Sequence, residues 1–291
     1  MTAEAAHYQL LVCGATFAGL GAAIAAKLPV IVVERSAGVG QEFIETFNPG
    51  SFEAMKDLPF SPLEQSLHTE LIERSLMEPG GGPVHLPGVH SVLCKRIQDT
   101  GLKVLFLTEI IEVKATGEGF EVTLYNVSGF QTIRVDRILD TTSRRFSQPD
   151  QSYAPVNRKI IRAHLSGGVS GNETTSNVQP LDEQAQILPG RFPSERILAL
   201  TVDAGTDWPA ARHSLQEYWR ARPASLALWT IAAVASTFGL QVPQGPIELA
   251  AQWIWLPSES SPHPLQAFRQ GYRFLQLQSE EDVNDGYRKT I

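Results

Sequence analysis

Residues 8–34 read YQLLVCGATFAGLGAAIAAKLPVIVVE, and the order of the parts decides the fold class. An apolar run ends at Gly14, a small-residue segment follows, and a Val- and Ile-rich run leads to Glu34. Short apolar runs bounded by turn residues read as buried strands, and AGLGAAIAAK reads as a helix. The stretch therefore predicts strand, glycine turn, helix and strand, the opening βαβ unit of a parallel sheet. The turn is Gly14-Ala15-Thr16-Phe17-Ala18-Gly19, a G-x-T-x-x-G sequence. Gly14 permits the tight reversal, and Gly19 lets the helix lie close to the strand. Small Thr16 stands where the backbone approaches a pyrophosphate. The first helical N–H groups, at Phe17 and Ala18, and the positive end of the helix would face that phosphate. Glu34 stands 20 residues beyond Gly14, the distance at which a carboxylate reaches both ribose hydroxyls. Its charge argues against a 2′-phosphate, so NADP is the disfavoured dinucleotide. The competing reading is an ordinary packing unit with a solvated Glu34.

Outward from this unit, composition narrows the class. With 291 residues, 43% hydrophobic and 19% charged, the chain is globular and long enough for one large domain or two modest ones. A net charge of −7 argues against nucleic acid as a partner, because phosphate binding needs a basic face. Two cysteines, Cys13 and Cys94, make neither a disulfide framework nor a metal site, and read as buried thiols in a reducing, cytoplasmic setting. MTAEAAHYQ has no basic region, so no signal peptide is expected. No charge occurs between Arg222 and Glu248. The small residues there favour a buried helix of a soluble domain over a membrane span.

Further along, a helix is expected around Leu63–Leu76, a loop at Pro79–Pro83, and a helix through Val89, Val92, Leu93 and Ile97 that stops at Gly101. KVLFL reads as a strand. IIEVKA, FEVTLYNV and QTIRVD alternate between turns at Gly117–Gly119 and Ser128–Gly129, which predicts an antiparallel meander. RILDTTS reads as another strand, and Arg144 to Asn177 as loop, with a boundary near Phe146. Strands are expected in Ile187–Asp203, helices at Pro209–Arg220 and Ala224–Phe238, a strand at WIWL, and a helix at Pro264–Phe274.

CGATFAGLGAAIAA followed by VIVVERSAGVG resembles the FAD-dependent oxidoreductase superfamily with a glutathione-reductase type of Rossmann domain. It looks most like the branch whose first motif reads G-[GA]-T-P-A-G. Thr16 agrees with that branch, and Phe17 replaces its proline. The resemblance implies FAD as cofactor, with Glu34 and Arg35 at the adenosine and Gly40 near the pyrophosphate, where the family has paired glycines. GLKVLFLTEIIEVKATGEGFEVTLYN, continued by IRVDRILDTTS, is similar to the family's crossover meander and returning strand. That strand usually ends D-A-T-G, and here it ends Asp140-Thr141-Thr142-Ser143. Thr142 and Ser143 would pass close to FAD, and Ile110 would offer backbone groups to the adenine. WIWLPSESSPHPLQAFRQG is similar to the closing motif. Ser258 and Glu259 stand where the family's aspartate binds the ribityl or pyrophosphate portion, so Ser258→Asp is expected to restore an anchor. Pro264 and Leu265 would open a helix toward the flavin ring.

The expected architecture is α/β: a Rossmann-type parallel sheet with an antiparallel crossover meander, and an inserted α+β substrate or cap domain. The FAD-binding domain would be assembled from 1–146 and 250–291, and the substrate or cap domain from 147–249. The expected function is hydride transfer from a small-molecule substrate to flavin, the cofactor carrying the chemistry, with no catalytic side chain assigned. Two other readings stay open. A degenerate, non-enzymatic member fits Ser143, Ser258 and the lone Gly40, and an NAD-binding dehydrogenase is disfavoured by the meander. His263 reads as a loop histidine or cap partner, and Trp253, Trp255 and Phe268 as core. Arg144 and Arg145 read as solvated, and His85 and His90 lack a third ligand at metal spacing.

Overall fold

The structure, a computed structural model, describes residues 5–50, 60–149, 156–167 and 179–288, the last eleven of these without their side chains. Strand β1 (Ala6–Cys13), helix α1 (Phe17–Ala25) and strand β2 (Val30–Val33) form the βαβ opening. Three helices follow: α2 (Gln41–Ile44), α3 (Pro62–Glu73) and α4 (Leu86–Thr100). Helix α4 closes on Gly101 in the left-handed conformation, as its sequence predicts. The short strand β3 (Val104–Leu105) then leads into the meander β4 (Glu109–Thr116), β5 (Gly119–Asn126) and β6 (Gly129–Asp140).

Strand β1 pairs in parallel with β2 on one side, Cys13 opposite Val33, and with β6 on the other, Cys13 opposite Asp140. QTIRVD and RILD, expected as separate strands, are one strand. Its first half pairs antiparallel with β5 and its second half enters the buried parallel sheet, so the pattern changes from alternating to apolar without a break. Leu10, Val12 and Val32 pack under the helices, and Leu11, Cys13 and Ile31 pack under the meander. Both faces of β1 are therefore covered, which is why its sequence is apolar at consecutive positions.

The second sheet comprises β7 (Arg158–Gly167), β8 (Gln179–Pro180), β9 (Ala185–Pro189) and β10 (Glu195–Asp203). After α5 (Trp208–Arg220), β11 (Trp229–Val234) and β12 (Gly239–Leu240) join it. The order is β11-β7-β10-β9-β8, with β12 also on β7, every pairing antiparallel. Two expectations are corrected here. Strand β7 lies where loop is expected, although Ile161, Ala163 and Leu165 alternate inward along it. Residues 229–234 are an edge strand and not part of a helix. Trp229, Thr230, Ile231 and Val234 suit a pleated edge, and pairing with β7 outweighs the helix propensity of the alanines. Among the described residues no helix is long and apolar enough to cross a membrane.

The chain returns to the first sheet with β13 (Ile247–Ala250) and β14 (Trp253–Trp255). Strand β14 is parallel to β6, with Trp255 opposite Asp140. The carboxyl ends of β1, β2, β6 and β14 thus share one edge, where open α/β sheets bind ligands. Helix α6 (Pro264–Arg288) runs well past the expected end at Phe274 and lies across α1. A β-carbon on Gly21 would sit 2.0 Å from the Phe268 carbonyl oxygen, and one on Gly271 would sit 1.9 Å from that of Ala18. The two helices therefore meet backbone to backbone. The architecture is the α/β class expected: a parallel sheet bearing an antiparallel meander, and a second sheet inserted before the last strands.

Candidate functional site

A cavity of about 690 Å³ opens at the carboxyl edge of the first sheet, within the size range of small-molecule sites. Cys13 contributes to its wall from the end of β1, Gly14 and Thr16 from the turn that follows, and Val33, Glu34 and Arg35 from the end of β2. Ile110 lines it from β4, Thr142, Ser143 and Arg144 from the segment after β6, and Glu259 from the turn before α6. The second sheet closes it with Phe238 and Leu240.

The glycine turn is built by close approach. Gly14 has φ +98°, and a β-carbon there would lie 2.9 Å from Thr142 Cγ2. A β-carbon on Gly19 would lie 2.1 Å from the Gly14 carbonyl oxygen. Thr16 caps α1: its hydroxyl accepts from Gly19 N at 2.9 Å and donates to Thr141 Oγ1 at 2.7 Å. Thr141 in turn donates to the Cys13 carbonyl at 3.0 Å, stapling the end of β6 to the turn. Behind it, buried Asp140 accepts from Thr142 N, Thr142 Oγ1 and Ser147 N at 2.6–2.8 Å. Burial raises its pKa, and these bonds oppose the rise.

Glu34 ties two loops together. Its Oε2 accepts from Ala15 N at 2.8 Å and its Oε1 from Ser36 N at 2.7 Å. Each carboxylate oxygen has capacity for a further bond, and Glu34 lines the cavity. Arg35 bonds Glu109 at 3.0 Å and stacks 5.0 Å from the centre of the Phe146 ring. Gly40, at φ +66°, packs α2 on the turn, where a β-carbon would meet the Phe17 ring at 2.8 Å. Phe17 itself is core, edge-on to Phe43.

This packing delivers a residue that sequence reasoning missed. Glu42 Oε1 accepts from Phe17 N at 2.7 Å and from the Ser258 hydroxyl at 2.6 Å, while Ser258 Oγ accepts from Ala18 N at 3.3 Å. Burial pushes the Glu42 carboxyl up to about 8, against its bonds from Ser258 and Phe17. Nothing in the local sequence flags an acid at the helix terminus; only the fold of the Gly40 turn brings it there.

Beside it, Glu259 accepts from the Ser143 hydroxyl and, at 3.1 Å, from Leu240 N. Burial raises its carboxyl to about 7, with Arg162 and Arg144 among the groups that oppose the rise. Arg162, also missed from sequence, is buried on β7 and donates to the Thr46 carbonyl at 3.2 Å.

Of the candidate residues, Gly14, Thr16, Glu34, Arg35, Ile110, Thr142, Ser143 and Glu259 face one cavity. Phe17, Ala18, Gly19, Gly40 and Ser258 shape the turn behind it. Pro264 and Leu265 lie apart from the wall: Leu265 is core, and its N–H donates to His263 Nδ1 at 3.1 Å. His263 bonds the Gly82 carbonyl through Nε2 at 3.1 Å, and burial lowers its pKa to about 4, so it is a neutral cap residue. Trp253 and Trp255 donate to Ser147 Oγ at 2.9 Å and to the Thr142 carbonyl at 2.7 Å, bracing the segment after β6 from outside the cavity. Arg145 stacks on Trp255 at 5.0 Å.

No protein-family model matches the chain. No curated protein matches it either. Solved structures do. Glycine oxidase from Geobacillus kaustophilus aligns over 91% of this chain and 93% of its own, with TM-score 0.62 and 11% identity. A geranylgeranyl bacteriochlorophyll reductase-like protein from Thermoplasma acidophilum aligns over 98% and 81%, with TM-score 0.65 and 10% identity. Aklavinone-11 hydroxylase, in a ternary complex with FAD and aklavinone, aligns over 94% of this chain and 62% of its own, with TM-score 0.58 and 12% identity. At these identities the likeness establishes a common fold.

Proposed function

We propose that this chain is an FAD-binding oxidoreductase acting on a small organic molecule. One observation carries the reading. The cavity lies at the carboxyl ends of the parallel strands, with the Gly14–Gly19 turn and Glu34 at one end and a part-buried titratable carboxyl, Glu259, in its wall. The aklavinone-11 hydroxylase of the same fold binds FAD, which supports the same cofactor here. An NAD-binding dehydrogenase would continue after β3 with further βα units, whereas here the antiparallel meander β4–β6 follows β3.

The residues present fit the adenosine half of FAD. Glu34 would accept the ribose hydroxyls while keeping its bonds to Ala15 and Ser36, and Ile110 and the Arg35–Phe146 stack would flank the base. The phosphate donors at Phe17 and Ala18 are present, but Glu42 and Ser258 hold them. Thr142, Ser143 and Glu259 would line the isoalloxazine half. When bound, the flavin supplies the electron-accepting chemistry, hydride uptake from substrate in our reading. The chain's own part is to orient the substrate, exclude water with Phe238 and Leu240, and manage protons. Glu259, with a pKa near 7, can hold or release a proton at neutral pH. In this reading 1–146 and 250–291 form the cofactor-binding domain and 147–249 the substrate or cap domain. Strands from both flanking segments in one sheet support a division of this kind, with β13 starting the return at Ile247, slightly ahead of the expected boundary.

The test is visible spectroscopy of the purified protein titrated with FAD. A bound flavin spectrum that substrate-like reductants bleach is the expected result. A protein that stays colourless after gel filtration from excess FAD overturns the reading.

A further inference from the structure

We infer that Glu42 is an intramolecular occupant of the phosphate seat: its carboxyl holds donors that a dinucleotide's diphosphate would use, and the two compete. The identity of the ligand rests on the flavin reading above; the occupancy of the seat does not.

The first turn of a helix has free N–H groups that attract an anion. In α1 these are Phe17, Ala18 and Gly19, and all three have partners. Phe17 N donates to Glu42 at 2.7 Å, Ala18 N to Ser258 Oγ at 3.3 Å, and Gly19 N to Thr16 Oγ1 at 2.9 Å. Thr16 is an ordinary cap within the turn. Glu42 reaches the seat from α2, and Ser258 from the turn before α6, with the Ser258 hydroxyl fixed by its bond to Glu42. Two foreign groups thus fill the place of a phosphate, and one of them is an acid.

A second observation marks this arrangement as displaceable. Glu42 Oε2 is buried and has no hydrogen-bond partner. A carboxyl placed only to stabilise the fold would have its lone pairs met, because an unmet buried acceptor costs free energy. Helix α1 carries no titratable side chain to pair with it, and the charge that reaches it from the adjoining turn is that of another acid, Glu259. Burial works in the same direction as that charge and opposes ionisation. The cavity wall as a whole carries more acids than bases, with Glu34, Glu45, Glu109 and Glu259 against Arg35 and Arg144. Glu42 is therefore a poorly satisfied occupant of a seat built for an anion. A diphosphate brings more acceptor oxygens to the same donors, but it must first displace the carboxyl. Glu42 consequently lowers the affinity for phosphate-bearing ligands and leaves that for an uncharged nucleoside unaltered.

The test uses inorganic pyrophosphate, FAD and adenosine, titrated calorimetrically into the full chain and into Glu42→Ala and Glu42→Gln. Removing the occupant should tighten pyrophosphate binding about ten- to a hundredfold in Glu42→Ala, the span of one charge-assisted hydrogen bond. Glu42→Gln keeps the shape and both hydrogen bonds, and should fall between Ala and wild type. It carries the test alone if the alanine variant does not fold. FAD should follow pyrophosphate, and adenosine should bind all three proteins alike. Unchanged or weaker pyrophosphate binding in the folded variants overturns the inference, whatever FAD does. If the variants gain pyrophosphate but neither FAD nor adenosine binds, the inference stands and the flavin reading falls.

Discussion

The Ser258 hydroxyl donates to the Glu42 carboxyl over 2.6 Å, joining the turn before α6 to the short helix α2. By motif alone, an aspartate at position 258 restores an anchor. In the structure it sets two carboxyls against each other. Ser258→Asp should therefore destabilise the protein, by about 1–3 kcal/mol, and Glu42→Gln should relieve the loss in the double variant. Urea unfolding of the two single variants and the double variant measures the coupling. Strictly additive losses would show that the contact is energetically silent.

The turn at Gly19 leaves no space for a side chain. With the Gly14 carbonyl 2.1 Å from the β-carbon position, Gly19→Val must open the turn. We expect a loss of about 1–3 kcal/mol or more in thermal unfolding, and no FAD retention in whatever remains folded. A folded Gly19→Val protein with unaltered flavin affinity would remove the turn from the site.

Glu34 has two duties that one substitution separates. Glu34→Ala loses bonds to Ala15 N and Ser36 N, and should destabilise the unliganded protein by about 1–3 kcal/mol. It should also weaken FAD more than FMN, which has no adenosine ribose. Equal losses for the two flavins would leave Glu34 with the loop-tying duty only.

Buried titratable groups bracket the pH of greatest stability. His263 is pushed down from 6.5 to about 4, so the unfolded chain takes up a proton that the folded one refuses, and stability falls as pH drops through that window. Glu42 and Glu259 are pushed up from 4.5 to about 8 and about 7, so stability that is full below 4.5 is lost as pH rises through those values. The windows overlap between 4.5 and 6.5, where two carboxyls outweigh one imidazole, so the melting temperature should be highest near the lower end of the overlap and fall through neutrality. Glu42→Gln should flatten the alkaline limb and leave the acid limb alone. Melting curves from pH 4 to 9 provide the check, and an alkaline limb unchanged in that variant would mean that Glu42 ionises as freely folded as unfolded.

Local signals carried much of the fold. Gly14, Gly19, Gly101 and the alternation of β5 each act through the nearest few residues, so the βαβ unit, α4 and the meander were legible. Strand β11 was not, because the small residues of an exposed edge look like helix until β7 is seen beside them. The same divide runs through the site. Glu34 follows from spacing. Glu42 and Arg162 depend on contacts with Phe17 N, Ser258 and the Thr46 carbonyl, made by tertiary packing that no local pattern announces. Pro264 and Leu265 fit the closing motif but turn into the core, because His263 is buried as the cap of α6.

The crossing of α1 and α6 has a consequence for how the molecule forms. Ala18 and Ser258, which meet at the same place, are 240 positions apart. Until α6 arrives, the Gly21 face of α1 lacks the cover that Phe268 gives it, and the apolar helix of the βαβ unit stays open to solvent. Such long-range closure slows folding and exposes apolar surface to aggregation. On the ribosome, this βαβ unit would emerge long before the helix that seals it, and chaperone demand should persist until residues near Gly271 have left the exit tunnel.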